Sequence, residues 1–185
     1  AEERWSVRSE RVRQHTGTAG TTTHVIEPAV EARFVRLNVI RPTYSGEPTA
    51  RIYEFKIYGP DGERNLAVGR PATGSIPCSE DRGPEKAVNG SVAGGEADSF
   101  CTDDRPRYLQ VDLGAMTRVT RFVVKHASAG GEDEESDTRE FNIQVSSEGK
   151  VFTTVETSTG AGFVEERTEY RNLVYFDGRR EARFL

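Results

Sequence analysis

Apolar and polar residues alternate in five stretches of the chain: Arg33-Phe34-Val35-Arg36-Leu37-Asn38-Val39, Arg51 to Tyr58, Tyr108-Leu109-Gln110-Val111-Asp112-Leu113, Val119 to Lys125, and Glu140-Phe141-Asn142-Ile143-Gln144-Val145. Successive side chains of a strand point to opposite faces, so each stretch can bury one face and wet the other. Helix-period apolar spacing is absent. Turn formers separate the stretches: Pro60-Asp61-Gly62, Asn89-Gly90, Ala93-Gly94-Gly95, Gly130-Gly131 and Glu148-Gly149. Many short strands with one polar face and Gly-rich turns predict an all-β chain, an antiparallel β-sandwich in which each sheet keeps one solvated face.

Composition narrows the function classes. With 35% hydrophobic and 30% charged residues and a mean hydropathy of -0.64, the chain reads as soluble and globular. No apolar run approaches the ~18 residues of a membrane helix, so no membrane span is expected. A net charge of -5 argues against a nucleic-acid partner, which normally meets a basic face. A chain of 185 residues can bury one core, and a second complete domain would be cramped.

Glu31-Ala32-Arg33-Phe34 returns as Glu181-Ala182-Arg183-Phe184. The preceding stretches correspond loosely, with Trp5-Ser6-Val7 against Phe152 to Val155 and Thr16 to Thr23 against Thr157 to Phe163. A repeat this long fits one whole small domain and is too long for a solenoid. The chain therefore reads as opening inside one unit and closing inside the next, a position from which a missing signal peptide carries no information.

Cys78 and Cys101 are the two cysteines. A bond between them would close a modest loop worth roughly 3 kcal/mol in the chain-entropy model. Two unrelated buried thiols are the alternative. The spacing is no zinc pattern, because His15, His24 and His126 are scattered. We carry the disulfide forward, and it implies an oxidising compartment.

The acidic run Gly131-Glu132-Asp133-Glu134-Glu135-Ser136-Asp137 invites comparison with the paired carboxylates of glycosidases. Catalytic carboxylates sit on fixed elements facing a cleft, whereas a continuous acidic loop is normally solvated and mobile. No nucleophile elbow, HExxH helix or phosphate loop is present, so no catalysis is expected.

Asn65-Leu66-Ala67 with Gly69 to Thr73, then Pro84 to Gly90, then Tyr108 to Gly114, together resemble a discoidin domain, the coagulation-factor type C, galactose-binding-like β-sandwich. Thr138 to Phe141 with Val145 to Gly149 is similar to its central strands, and Ala32 to Leu37 followed by Ala50 to Gly59 to its last two. The likeness runs over nearly the whole chain. The variant with Cys78, Cys101 and Lys125-His126-Ala127 is similar to modules appended to secreted bacterial glycosidases, which implies a multidomain parent and a secreted, extracellular protein.

Family order places the last strands after the sandwich, whereas here they precede it. Residues 1–59 are read as the C-terminal strands of one discoidin-like unit, and 60–185 as a sandwich lacking its final strands and completed by 32–59. Three arrangements are open: closure within the chain as a circular permutation, exchange of strands between two chains, and an excerpt of a tandem array. The apolar residues of 33–39 and 51–58 require packing in any of them. Ile52 to Tyr58 is therefore expected to hydrogen-bond antiparallel into the sandwich.

The resemblance also implies sites. A structural calcium would be held by oxygen atoms of the loop Lys86, Asn89 and Ser91, with Asp98 and, from a final strand, Glu54. Asn89 stands where many relatives have Asp, which lowers the charge of the site; a simple tight turn is the alternative reading of Asn89-Gly90. His126 and Arg139 fall where some relatives hold galactose-type hydroxyls, a match to the imidazole's donor and acceptor and the guanidinium fork. Trp5 lies in the wrong segment for a stacking platform, which leaves Phe100 or Tyr44. The function implied is a non-catalytic carbohydrate-binding module of a glycosidase, with a cell-surface adhesion or protein-interaction domain as the alternative.

Overall fold

A computed structural model describes residues 20–158, together with the backbone of Arg13–His15. Nine strands follow in order: β1 (Arg13–His15), β2 (Thr21–Arg41), β3 (Ala50–Ile52), β4 (Glu54–Tyr58), β5 (Ala72–Gly74), β6 (Phe100–Thr102), β7 (Arg107–Lys125), β8 (Glu140–Ser146) and β9 (Thr153–Ser158). Helical structure among the described residues is limited to short 3-10 turns at Pro84–Val88, Gly95–Asp98, Ala127–Gly130 and Glu134–Ser136. The architecture is the expected antiparallel β-sandwich.

Two long strands organise it. β2 and β7 pair antiparallel along most of their length, from Thr21↔Lys125 to Val39↔Arg107, with register shifts between Val25 and Val30 and between Ala32 and Phe34. Pro28 lies in the first interruption, and it has no N–H to give the ladder. On one side of these breaks, residues 34–39 of β2 and 107–112 of β7 carry β8 and β9 on one flank and β5 on the other. On the other side, the remaining halves carry β1 and β4. Each long strand thus serves both layers. The two separate stretches expected at 108–113 and 119–125 are one bent strand.

β4 pairs antiparallel with β7, from Glu54↔Lys125 to Tyr58↔Arg121, so 54–58 is built into the sheet. The expected single strand over 51–58 is split at Tyr53. Ile52, Tyr53, Glu54 and Phe55 are all buried, and four buried residues in succession cannot lie on one pleated strand with a wet face. β3 turns instead to β6 (Ala50↔Thr102, Ile52↔Phe100), while the Tyr53 N–H donates to the Lys125 carbonyl at 2.9 Å.

The alternation of the sequence becomes the core. Val35, Leu37, Leu109, Val111, Phe141 and Ile143 face inward from one layer and meet Phe55, Ile57, Phe122 and Val124 from the other. Phe55 and Phe122 stack at 5.9 Å. Each such side chain withdraws apolar surface worth about 1.5–3 kcal/mol. Cys78 and Cys101 are disulfide-bonded, with Cα atoms 5.4 Å apart. The second copy of the repeated phrase, Glu181 to Phe184, and Trp5 lie outside the described residues.

Candidate functional site

The 3-10 turn Pro84–Val88 ends at Asn89, and Gly90 follows with φ 84°, a backbone conformation open to glycine. The chain then folds onto its own side chains. The Asn89 Oδ1 accepts the Ser91 N–H at 2.9 Å, the Ser91 Oγ accepts the Ala93 N–H at 3.0 Å, and Asp98 accepts the Gly94 N–H at 3.1 Å and the Asn89 amide. Lys86 sits in the turn itself. The sequence placed these residues in one loop, and the structure brings Glu54 of β4 to it: the Gly90 N–H donates to Glu54 Oε2 at 2.8 Å.

Glu54 is 1% exposed, and its Oε1 has no hydrogen-bond partner among the described residues. Burial pushes its carboxyl up to about 7, against the Gly90 bond and Lys56. Lys125 stands opposite in the β4–β7 register, with its amine lowered by burial. Burial also pushes Asp98 up, but hydrogen bonds from Asn89, Gly94 and Ser91 outweigh it and leave the carboxyl below its ordinary range. A buried carboxylate oxygen without a partner is expensive and invites a cation. Among the described residues no group of three His, Cys, Asp or Glu converges, so any ion here would draw on amide, hydroxyl and carbonyl oxygens as well. That donor set suits a hard cation such as calcium and not a transition metal.

The four proposed sugar contacts separate into two pairs. Arg139 is exposed immediately before β8, its N–H bonded to the Arg41 carbonyl, and its guanidinium lies 5.8 Å from the ring centre of half-buried Tyr44. The Tyr44 and Ser45 N–H groups both donate to the Glu135 carbonyl, tying the loop after β2 to the loop before β8. Phe100, by contrast, is 1% exposed in β6 and belongs to the core, so no sugar face can stack on it here. His126 is fully buried: its Nε2 lies 3.1 Å from the Thr22 hydroxyl and its ring 5.5 Å from Phe141. A ring enclosed in this way does not present its nitrogens beside Arg139.

The acidic run is also more ordered than its composition suggests. Glu132 accepts the Tyr53 hydroxyl and pairs with Arg51 at 3.0 Å, and Asp137 accepts the Ser128 N–H and hydroxyl at 2.7 and 2.9 Å. The Tyr53 phenol is pushed well above its ordinary range by burial and by its side-chain hydrogen bond to Glu132, so it stays protonated and donates. These carboxylates hold the loop in place.

One constellation had no signal in the sequence. Thr22 Oγ1 lies 2.9 Å from His24 Nε2, and His24 Nδ1 lies 3.2 Å from Glu156 Oε2, the hydroxyl–imidazole–carboxylate order of a nucleophilic triad. Thr22 and His24 are 0% exposed and Glu156 4%. No substrate reaches that hydroxyl, and the network instead joins β2, β9 and the end of β7 inside the sandwich. Its hydrogen-bonded members lie up to 132 residues apart, which is why spacing could not reveal it.

The family model described as the F5/8 type C domain matches residues 71–185. No curated protein and no solved structure matches the chain.

Proposed function

The chain belongs to the F5/8 type C domain family, and from that premise we propose that it is a non-catalytic carbohydrate-binding module of a secreted glycosidase, taking a galactose-type or related glycan at its loop end. The carrying observation is the pairing of Arg139 with Tyr44 on two loops that are hydrogen-bonded to each other. A guanidinium offers a rigid donor fork to vicinal hydroxyls, and a phenol ring offers a sugar face its apolar platform. The Cys78–Cys101 disulfide supports an oxidising, extracellular setting. In this reading a calcium ion is structural and is held by Glu54, Asn89, Asp98, Ser91 and Lys86. The unpartnered Glu54 oxygen is what favours it.

Residues 60–185 are the unit in this reading, and 1–59 supply its closing strands in the same chain or in a strand-exchanged dimer, which a dilution series by light scattering separates. A glycan array run with and without calcium tests ligand class and ion together. Binding of galactose-type glycans that is lost with Arg139→Ala supports the reading, and a blank array under both conditions refutes it. A second reading, protein adhesion, draws on Ile76, an apolar side chain 70% exposed beside Asp104. It requires that Ile76→Asp abolish attachment to cells.

A further inference from the structure

The layer built from β5, β7, β2, β8 and β9 turns one face to the core and the other outward, and the outward face carries a pattern unrelated to the loop end. Registers align Thr73, Gln110, Arg36, Gln144 and Thr154 into one row across five strands, and Asn38 beside Asn142 in the next. Adjacent strands lie about 4.8 Å apart, so the row is roughly 19 Å wide. We propose that this face is a second binding surface, for an extended glycan that carries carboxylated sugars and lies across the strands. It stands independently of the loop-end reading.

The amides of the row are held in fixed orientations. Gln110 Oε1 accepts from both Nε and Nη2 of Arg36 at 2.9 and 2.7 Å. The Asn38 amide donates to Asn142 Oδ1 at 2.9 Å and to Gln144 Oε1 at 2.8 Å, and the Gln144 amide donates to Thr154 at 3.1 Å. These bonds leave the N–H groups of Gln110 and Asn142, the Oδ1 of Asn38 and the Nη1 edge of Arg36 without a partner in the row, a mixed set of donors and acceptors. Hydroxyls, which both donate and accept, complement such a set.

Charge then selects the glycan. Arg33 is paired with Asp112 and Arg41 with Glu140, whereas no carboxylate among the described residues pairs with Arg36. Its guanidinium is clamped between Tyr108 at 4.7 Å and Phe152 at 4.1 Å, which fixes its plane and partly removes it from water. One uncompensated, oriented guanidinium amid neutral amides matches a chain with spaced carboxylates. Nucleic acid would need many cations, and a row of neutral amides and hydroxyls about one guanidinium flanked by aromatic rings suits the hydroxyls and apolar faces of sugars.

The probe is a hexasaccharide alternating uronate and N-acetylhexosamine, compared by calorimetry with its carboxyl-reduced form, on the whole chain in calcium. The uronate form is expected to bind at least about ten-fold more tightly. Asn142→Asp keeps the acceptor that Asn38 uses but sets a negative charge in the row next to that of Arg36. It should weaken uronate binding about ten-fold or more and leave the thermal unfolding unchanged. Arg36→Gln should abolish the preference between the two probes, and Arg139→Ala should leave it intact. Equal affinity for the two probes, or full binding by Asn142→Asp, overturns the proposal. Loss of uronate binding in Arg139→Ala assigns the ligand to the loop end and overturns it as well. Failure of the loop-end reading shows instead as a galactose-blank array with the uronate preference intact.

Discussion

Gly130 is the tightest spot in the loop that carries the acidic run. A methyl group there would stand 1.9 Å from Tyr53 Cε2 and 2.2 and 2.3 Å from its neighbours in the ring. Something must move. The ring is fully buried, its hydroxyl is held by Glu132, and its own N–H is bonded to the Lys125 carbonyl. Overpacking of this kind costs about 1–3 kcal/mol, and a ring pushed aside also gives up a hydrogen bond to a charged acceptor, worth about 1.5–3 kcal/mol. Gly130→Ala is therefore expected to destabilise by about 3 kcal/mol, seen as a lower midpoint in urea with unchanged slope and a melting temperature down by roughly 10 °C. Gly46→Ala is the control: its φ is 95° with open space around it, so it carries only left-handed strain of about 1 kcal/mol. In a double-mutant cycle, Gly130→Ala should add nothing once Tyr53→Ala has removed the ring. A Gly130→Ala protein no less stable than Gly46→Ala, or one whose loss persists without the ring, would refute the reasoning.

Chelation should lower the melting temperature, and Glu54→Gln should remove that response by taking away the carboxylate; an identical melt with and without chelator sinks the calcium assignment. Without metal, the raised Glu54 carboxyl means that the folded state holds its proton more tightly. Its contribution is thus full below the ordinary 4.5 and lost as pH rises through about 7, by at most about 3 kcal/mol, and a urea series from pH 4 to 8 on Glu54→Gln should lose that slope. Reduction of the disulfide, which spans a separation of 23 residues, should destabilise by about 3 kcal/mol, and an unchanged urea midpoint in reductant would contradict this. Arg33→Ala, which breaks the two-pronged bond to Asp112 at 2.7 and 2.9 Å, should lower the melting temperature while Arg183→Ala leaves it unchanged; the reverse ranking would mean that the second copy of the phrase fills the strand.

The strands were legible because their burial follows a two-residue period, as in Val35, Leu37 and Val39 against Arg36 and Asn38. Where the period breaks, the reading broke too. Tyr53 and Glu54 are buried in succession because one fills the space under Gly130 and the other reaches the Gly90 turn, and neither fact is local. The loop side of the candidate ion site could be read from Asn89-Gly90-Ser91, since an Asx turn is a local motif. That Glu54 stands beside it in the fold depends on pairing between β4 and β7, a link of 71 positions from Glu54 to Lys125. His126 and Phe100 misled because side-chain type names a chemistry without its exposure. An imidazole at a strand end and a phenyl beside a cysteine are equally at home in a core.

The same distinction decides what the repeated phrase means. In its first copy every residue has a place in β2: Ala32 is fully buried, Arg33 grips Asp112 on β7, and the Phe34 ring lies 3.3 Å from where a side chain on Gly149 would begin. β2 pairs with β7 along most of its length and with β8 from Phe34 on, so within the phrase Phe34 alone is paired on both sides. Glu181 to Phe184 repeats these four residue types in the sequence. On the proposed reading the second copy belongs to a further unit, and replacing Arg33, but not Arg183, should then loosen the described sandwich.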